Sequence, residues 1–221
     1  MGRNLEIIPA ILATTEEDYS HKLQAIQLNN LFNDNWVQID FVDNRFVQNQ
    51  TIGMDVIARH PTDLKREAHL MVEDPEEWIG GLARLGFGRA IVHFEVGRTG
   101  ELIEKIKGQG MEVGVAINIE TEVAKIEPFA ATIDLVLVMS IHPGFGGQEL
   151  IPEAVERVRE VSRLRSENSR LLIGVDGGIN EFNAEGLVAA GADALVIGVS
   201  RLINNGQDTQ TFTKLKQLLS P

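Results

Sequence analysis

The sequence predicts an α/β protein, a single (β/α)8 TIM barrel over residues 1–221. Three observations support it: eight short apolar runs of strand character, helical segments between them, and a spacing of roughly 28 residues per unit. Strands are expected at Leu5 to Leu12, Trp36 to Phe41, Glu67 to Val72, Ala90 to Phe94, Glu112 to Ile117, Leu135 to Met139, Leu171 to Val175 and Ala194 to Ile197. Most are apolar on both faces, as suits a parallel sheet covered by helices. Val136-Leu137-Val138-Met139 is the clearest case.

Helices are expected at Glu16 to Leu31, Pro75 to Leu85, Glu101 to Lys107, Thr121 to Phe129, Pro152 to Ser166, Glu181 to Ala190 and Gln210 to Leu219, with a weaker candidate at Ile52 to Ala58. Pro75 and Pro152 suit first-turn positions, and Gly86, Gly108 and Gly191 suit helix ends. A doubly wound open sheet is the competing architecture, and it would bring a nucleotide fingerprint. Gly144-Phe145-Gly146-Gly147-Gln148-Glu149 lacks the last glycine of that pattern, and no phosphate-loop motif ending in Gly-Lys-Ser/Thr occurs. No linker or low-complexity tract divides the chain.

Composition narrows the partners. The chain is 43% hydrophobic and 24% charged, an ordinary globular balance. A net charge of −12 argues against nucleic acid or an anionic membrane as partner. A small anion stays within reach, because backbone N–H groups hold anions whatever the global charge. Cysteine is absent, which removes disulfides, thiol nucleophiles and thiolate metal sites. The first residues, Met1-Gly2-Arg3-Asn4-Leu5-Glu6, lack the apolar stretch of a signal peptide, and no run reaches the roughly 18 apolar residues of a membrane span, so a cytoplasmic location is expected.

In such barrels the chemistry sits at the C-terminal ends of the strands. Strand two ends in Gln38-Ile39-Asp40, and alternation puts Gln38 and Asp40 on one side, facing the axis if Ile39 faces the helices. Strand three supplies His69 and strand seven Asp176. Two carboxylates on distant strands can face each other across a substrate, one removing a proton from a carbon and the other returning one to the opposite face. Asp40, His69 and Asp176 together would make a mixed N/O metal site with open positions, suited to Zn, Fe or Mn acting as a Lewis acid. Each residue alone reads more simply as a strand-end polar group bonded to a loop, but three converging on one mouth favour a site.

Glycines form a second constellation. Gly144-Phe145-Gly146-Gly147 follows strand six, Gly177-Gly178 follows strand seven, and Gly198-Val199 ends strand eight. Glycine lets backbone approach an anion and point successive N–H groups at phosphate oxygens, and barrels often hold phosphate at these last loops. Tight turns explain one such pair; three in consecutive loops point to phosphate.

At these residues the sequence resembles the ribulose-phosphate 3-epimerase family, over nearly the whole chain. Ile8-Pro9-Ala10-Ile11-Leu12 is similar to its opening P-S-I-L, and Val37 to Asn49 to its H-x-D-x-M-D-G-x-F-V-P-N. Ala68 to Val72 resembles its H-L-M, Met139 to Gln148 its M-S-x-x-P-G-F-G-G-Q, and Val175 to Asn180 its V-D-G-G-I/V-N. The resemblance implies a phosphorylated ketopentose inverted at C3 through an enediolate. It implies Asp40 and Asp176 as acid/base pair and metal ligands, and His69 as a further ligand. Met71 and Met139 would line the apolar cover of the intermediate, and the glycine loops would hold phosphate. It also implies a homo-oligomer, dimer or hexamer.

The departures fall at the chemistry. Gln38 stands where the family has a metal-binding histidine, and an amide oxygen is a poorer ligand for Zn or Fe than imidazole. The expected cofactor is therefore a divalent metal (Zn, Fe, Mn or Co), weakly held or absent. Ala10 replaces a serine, Val42 a methionine, Asn44 a glycine, Gln48 a proline and Val199 a serine. Two other functions fit the same residues: epimerisation of another phosphorylated ketose, and sugar-phosphate binding without catalysis. Of the other histidines, His21 and His60 are expected in solvent, His93 in a structural hydrogen bond, and His142 shaping its loop.

Overall fold

A computed structural model describes residues 5–29, 36–204 and 207–219. Eight parallel strands close into a barrel in chain order: β1 (Glu6–Ile11), β2 (Trp36–Val42), β3 (Lys65–Met71), β4 (Arg89–His93), β5 (Glu112–Ile117), β6 (Leu135–Met139), β7 (Leu172–Asp176) and β8 (Ala194–Gly198). Pairing of β1 with β8 shuts the ring and sets Ala10 opposite Gly198. Around it run α1 (Glu16–Asn29), α2 (Met54–Arg59), α3 (Glu76–Arg84), α4 (Thr99–Gly108), α5 (Ala154–Ser162), α6 (Ala184–Ala190), α7 (Val199–Leu202) and α8 (Gln210–Leu219). A short antiparallel pair, β9 (Ile203–Asn204) and β10 (Gln207–Asp208), precedes α8. No helix among the described residues is long and apolar enough to cross a membrane.

The expected alternation of strand and helix breaks once. Thr121 to Phe129 is not an α-helix but two 3-10 turns, Val123–Lys125 and Glu127–Phe129. Pro128 explains it: proline has no N–H to donate, and its ring clashes with the preceding helical turn. The sixth helix also begins later than expected, at Ala184 rather than Glu181. The expected end of the first helix at Leu31 lies outside the described residues.

Side-chain alternation along each strand separates two apolar layers. Ile39, Phe41, Leu70 and Val138 point outward into the large core under the helices. Ile8, Ile91, Leu135, Leu137 and Val196 fill the barrel interior. Gly114 belongs to this inner layer because a Cβ there would lie 2.7 Å from Ile91 Cγ1. Each fully buried Val, Leu or Ile contributes about 1.5–3 kcal/mol, so a strand buried on both faces is held rigidly and can aim its last polar residues accurately.

The interior is charged near the strand starts. Register sets Glu67 beside Arg89 and Arg89 beside Glu112. Arg89 Nη1 donates to Glu67 Oε2 at 2.6 Å, its Nε and Nη2 donate to Glu112 Oε2, and its guanidinium lies over the Trp36 ring at 4.5 Å. Glu67 is fully buried and Arg89 nearly so. Burial pushes the Glu67 carboxyl above its usual range despite Arg89. For Arg89, burial opposes the charge, but Glu67 and Glu112 outweigh it and raise its pKa.

Candidate active site

The ends of β2, β3 and β7 bring Gln38, Asp40, His69 and Asp176 to one point. Asp40 and His69 are register partners on adjacent strands. His69 Nδ1 lies 3.1 Å from Asp40 Oδ1 and 3.3 Å from Asp176 Oδ2. Gln38 Nε2 donates to Asp40 Oδ1 and to Asp176 Oδ2, each at 2.8 Å, and sits 3.3 Å from His69 Nδ1. Ile39 faces the outer core, as alternation requires if Gln38 and Asp40 face the axis.

Hydroxyl groups pin the strand ends. Thr51 Oγ1 accepts from Val42 N and donates to the Asp40 carbonyl, both at 2.9 Å. Ser140, just past β6, donates its backbone N–H to the Asp176 carbonyl at 2.9 Å, and its hydroxyl reaches the Asp176 and Gly177 carbonyls. Both carboxylates therefore project from backbone bonded on each side.

Burial and neighbouring charge set the protonation of the cluster. Burial, reinforced by the nearby Asp176 charge, raises the Asp40 carboxyl above the usual range against the opposing hydrogen bond of His69. For His69 burial disfavours the imidazolium, but hydrogen bonds to Asp176 and Asp40 outweigh it and lift the pKa to about 9. Behind it, His69 Nε2 lies 2.9 Å from His93 Nε2, with the rings stacked. Burial pushes His93 down to about 4 despite the Glu95 carboxylate 3.2 Å from its Nδ1. Glu95 in turn accepts from Asn118 N at 2.9 Å and from the Thr121 hydroxyl.

Ligand atoms of Asp40, His69 and Asp176 all lie within 4.8 Å of one another, a spacing that fits one divalent ion. The amide of Gln38 decides how well. Its NH2 fills the space between the two carboxylates, while its Oε1 is buried without a hydrogen-bond partner. Turning the amide would offer that oxygen to an ion as a fourth, neutral ligand, at the expense of two charge-assisted hydrogen bonds. The donor set thus fits a divalent cation, with an internal competitor already seated.

A cavity of about 390 Å³ opens above the cluster. Its lining includes Asp40, His69, Asp176 and the two methionines Met71 and Met139, together with Gly144, Phe145, Gly146, Gly147, Gly177, Gly178, Gly198 and Val199. Both methionines are almost wholly buried. Gly178 has φ +64°, and a Cβ there would lie 2.7 Å from Leu150 Cα, so only glycine fits between the loops after β6 and β7. Asn183 Nδ2 donates to the Gly178 carbonyl at 3.0 Å and holds that turn. Asn49 Nδ2 donates to the Gly144 carbonyl at 2.6 Å, tying the β2 loop to the glycine-rich loop after β6.

Gln38 reaches the cavity only through its neighbours and is fully buried below the lining. His93 makes the structural hydrogen bonds expected of it. His60 is not in solvent: it is half-buried, edge-on to Tyr19 and 2.9 Å from Glu16 Oε1. Lys22 and Arg201 also line the cavity, and sequence reading missed both. Lys22 sits in a helix whose spacing marks it only as polar, so nothing local signals its reach.

Residues 6–202 match the profile described as the Ribulose-phosphate 3 epimerase family. The Bacillus subtilis ribulose-phosphate 3-epimerase is 35% identical over 199 residues, covering 88% of this chain and 90% of that protein. The Aquifex aeolicus ribulose-phosphate 3-epimerase is 37% identical over 188 residues, covering 81% and 82%. The Chlamydia muridarum ribulose-phosphate 3-epimerase is 40% identical over 169 residues, covering 73% and 74%. Among solved structures, a mutant tryptophan synthase alpha-subunit from Pyrococcus furiosus superposes with a TM-score of 0.71 at 14% identity, covering 100% of each chain, a likeness of fold alone. The match spans all eight barrel strands and the loops that build the cavity, and the chain belongs to the ribulose-phosphate 3-epimerase family.

Proposed function

We propose that this chain interconverts ribulose 5-phosphate and xylulose 5-phosphate by proton transfer at C3, Asp40 and Asp176 acting as the acid/base pair. The observation that carries the proposal is the convergence of the two carboxylates: both line one cavity, with oxygens close enough to share a single hydrogen-bond donor. One carboxylate takes the C3 proton from one face, and the other returns a proton to the opposite face. Asp40, whose carboxyl is held above its usual range, suits the proton-donating part in one direction. The two parts exchange in the reverse direction.

The enediolate formed between these steps carries the single negative charge left by the C3 proton, chiefly on the C2 oxygen, beside the C3 hydroxyl. The imidazolium of His69 and the amide NH2 of Gln38 lie at the carboxylates and offset their charge. Met71 and Met139 give the intermediate an apolar, polarisable cover that keeps water from quenching it. A divalent ion (Zn, Fe, Mn or Co) held by Asp40, His69 and Asp176, with Gln38 turned to offer Oε1, would supply Lewis-acid stabilisation of the same oxygens. The N–H groups of the Gly144 to Gly147 loop, Gly177-Gly178 and Gly198-Val199 are the proposed phosphate cradle. With a net charge of −12 the proposed partner is this small anion rather than nucleic acid or an anionic membrane, and the proposed setting is the cytoplasm.

Incubating ribulose 5-phosphate with the protein in deuterium oxide, with Mn, Fe or Zn supplied in turn, tests the proposal. Xylulose 5-phosphate carrying deuterium at C3 is the expected product. Absence of exchange with every metal overturns it, and faster turnover of a hexulose phosphate would move the substrate to a longer ketose.

A further inference from the structure

The lining of the cavity carries charge of both signs. The carboxylates of Asp40 and Asp176 stand over the ends of β2 and β7 with His69 between them, whereas the lysine and arginine of the described lining, Lys22 and Arg201, come from α1 and α7 on either side of the seam between β1 and β8. Lys22 is drawn inward from its helix: its Nζ donates to the Leu12 carbonyl, just past β1, at 2.8 Å and to Asp18 Oδ2 at 2.7 Å. Its side chain is only 22% exposed. Leu12 lies two residues beyond Ala10, the register partner of Gly198, so the ammonium is anchored near the seam between β1 and β8, at whose β8 end the proposed phosphate cradle has its last glycine.

We propose that Lys22 is a phosphate-binding residue, its third ammonium N–H closing the glycine cradle on the phosphate monoester of the substrate. An ammonium has three donors, two of which are committed to Leu12 and Asp18. Lys22 is one of the residues that line the cavity, and its remaining donor is the one left for the anion in this proposal. Backbone N–H groups bring partial charges to a dianion, and Lys22 adds a full positive charge in a chain that is strongly acidic overall. Asp18 fixes the side chain in advance, which lowers the entropy lost when the anion arrives. Arg201, exposed at the rim of the same corner, adds attraction at longer range. The inference deepens the sugar-phosphate proposal and rests on it.

The test replaces Lys22 by methionine, which keeps the aliphatic stem, and by arginine, which keeps the charge. Calorimetric titration with inorganic phosphate is expected to show affinity reduced about 10- to 100-fold in Lys22→Met and partly restored in Lys22→Arg, the loss of one charge-assisted hydrogen bond. The kinetic loss with ribulose 5-phosphate should fall more on KM than on kcat. Should Lys22→Met not fold, phosphate added to the wild-type protein must still shift the Lys22 Cε resonance. Unchanged phosphate affinity in Lys22→Met, or a Lys22 resonance indifferent to phosphate, overturns the inference. Lys22-dependent phosphate binding without turnover of any ketose phosphate would instead uphold it and overturn the epimerase proposal.

Discussion

Gln38 Nε2 lies 2.8 Å from Asp176 Oδ2, a hydrogen bond between residues 138 positions apart in the chain. The same nitrogen is 2.8 Å from Asp40 Oδ1, so one NH2 group spans the two carboxylates that would otherwise repel each other. A metal ion entering the cluster must displace it. Replacing Gln38 by histidine removes the competing amide and supplies imidazole, the better ligand for Zn or Fe. Gln38→His is therefore expected to tighten zinc binding on the order of tenfold or more, read by competition against a chelator of known affinity. Equal affinities in the two proteins would show that the amide turns without penalty.

The two carboxylates separate binding from chemistry. Asp40→Asn and Asp176→Asn keep the shape of each side chain but remove the group proposed to accept or return the C3 proton. Each is expected to lower kcat by about 100- to 10,000-fold, the usual reach of general acid–base catalysis. Inorganic phosphate, for which the glycine loops rather than the carboxylates are the proposed site, should bind both variants within a few-fold of the wild-type affinity. Retention of more than a tenth of the wild-type turnover by either variant would remove that residue from the acid/base pair.

Metal binding and pH are linked through His69. Without an ion its imidazole titrates at about 9, because Asp176 and Asp40 overcome the penalty of burial. A ligand nitrogen has to be neutral, so at pH 7 an arriving ion expels a proton from this site. The sign follows: affinity rises with pH up to the His69 pKa, by about tenfold per unit where a single proton leaves. Calorimetry of Mn or Zn binding in buffers of different ionisation heat measures the released proton directly. A binding enthalpy independent of buffer would mean that the imidazole is already neutral.

Much of this site is legible in the sequence because strands have so short a period. Gln38-Ile39-Asp40 at a strand end sends the first and third side chains to one face, and the outward burial of Ile39 is the consequence. Gly177-Gly178 announces a tight approach, which the left-handed backbone and the near contact with Leu150 supply. Helical residues are harder. Lys22 lies in an ordinary polar position of α1, and its reach to Leu12 depends on how that helix leans on β1. Thr121 to Phe129 misleads for another reason: Val123, Ile126 and Phe129 have helical spacing, and Pro128 overrides it. His60 contacts Glu16 and Tyr19, packing that neither neighbouring segment reveals by itself.

The charged interior near the strand starts tests how the scaffold is held. Arg89 and Glu67 are register neighbours and nearly devoid of solvent, and the guanidinium also meets Glu112 and the face of Trp36. Their attraction has to offset the desolvation of both charges, so the pair adds little net stability, whereas either partner left alone is an uncompensated buried charge. Arg89→Met strands Glu67 and is expected to reduce unfolding free energy by about 3–5 kcal/mol in a denaturant titration. Adding Glu67→Leu to that variant removes the stranded carboxyl and should recover much of the loss, although Glu112 at the half-exposed edge still lacks its partner. A double variant no more stable than Arg89→Met would mean that the salt bridge itself, rather than relief of an orphaned charge, stabilises this end of the barrel.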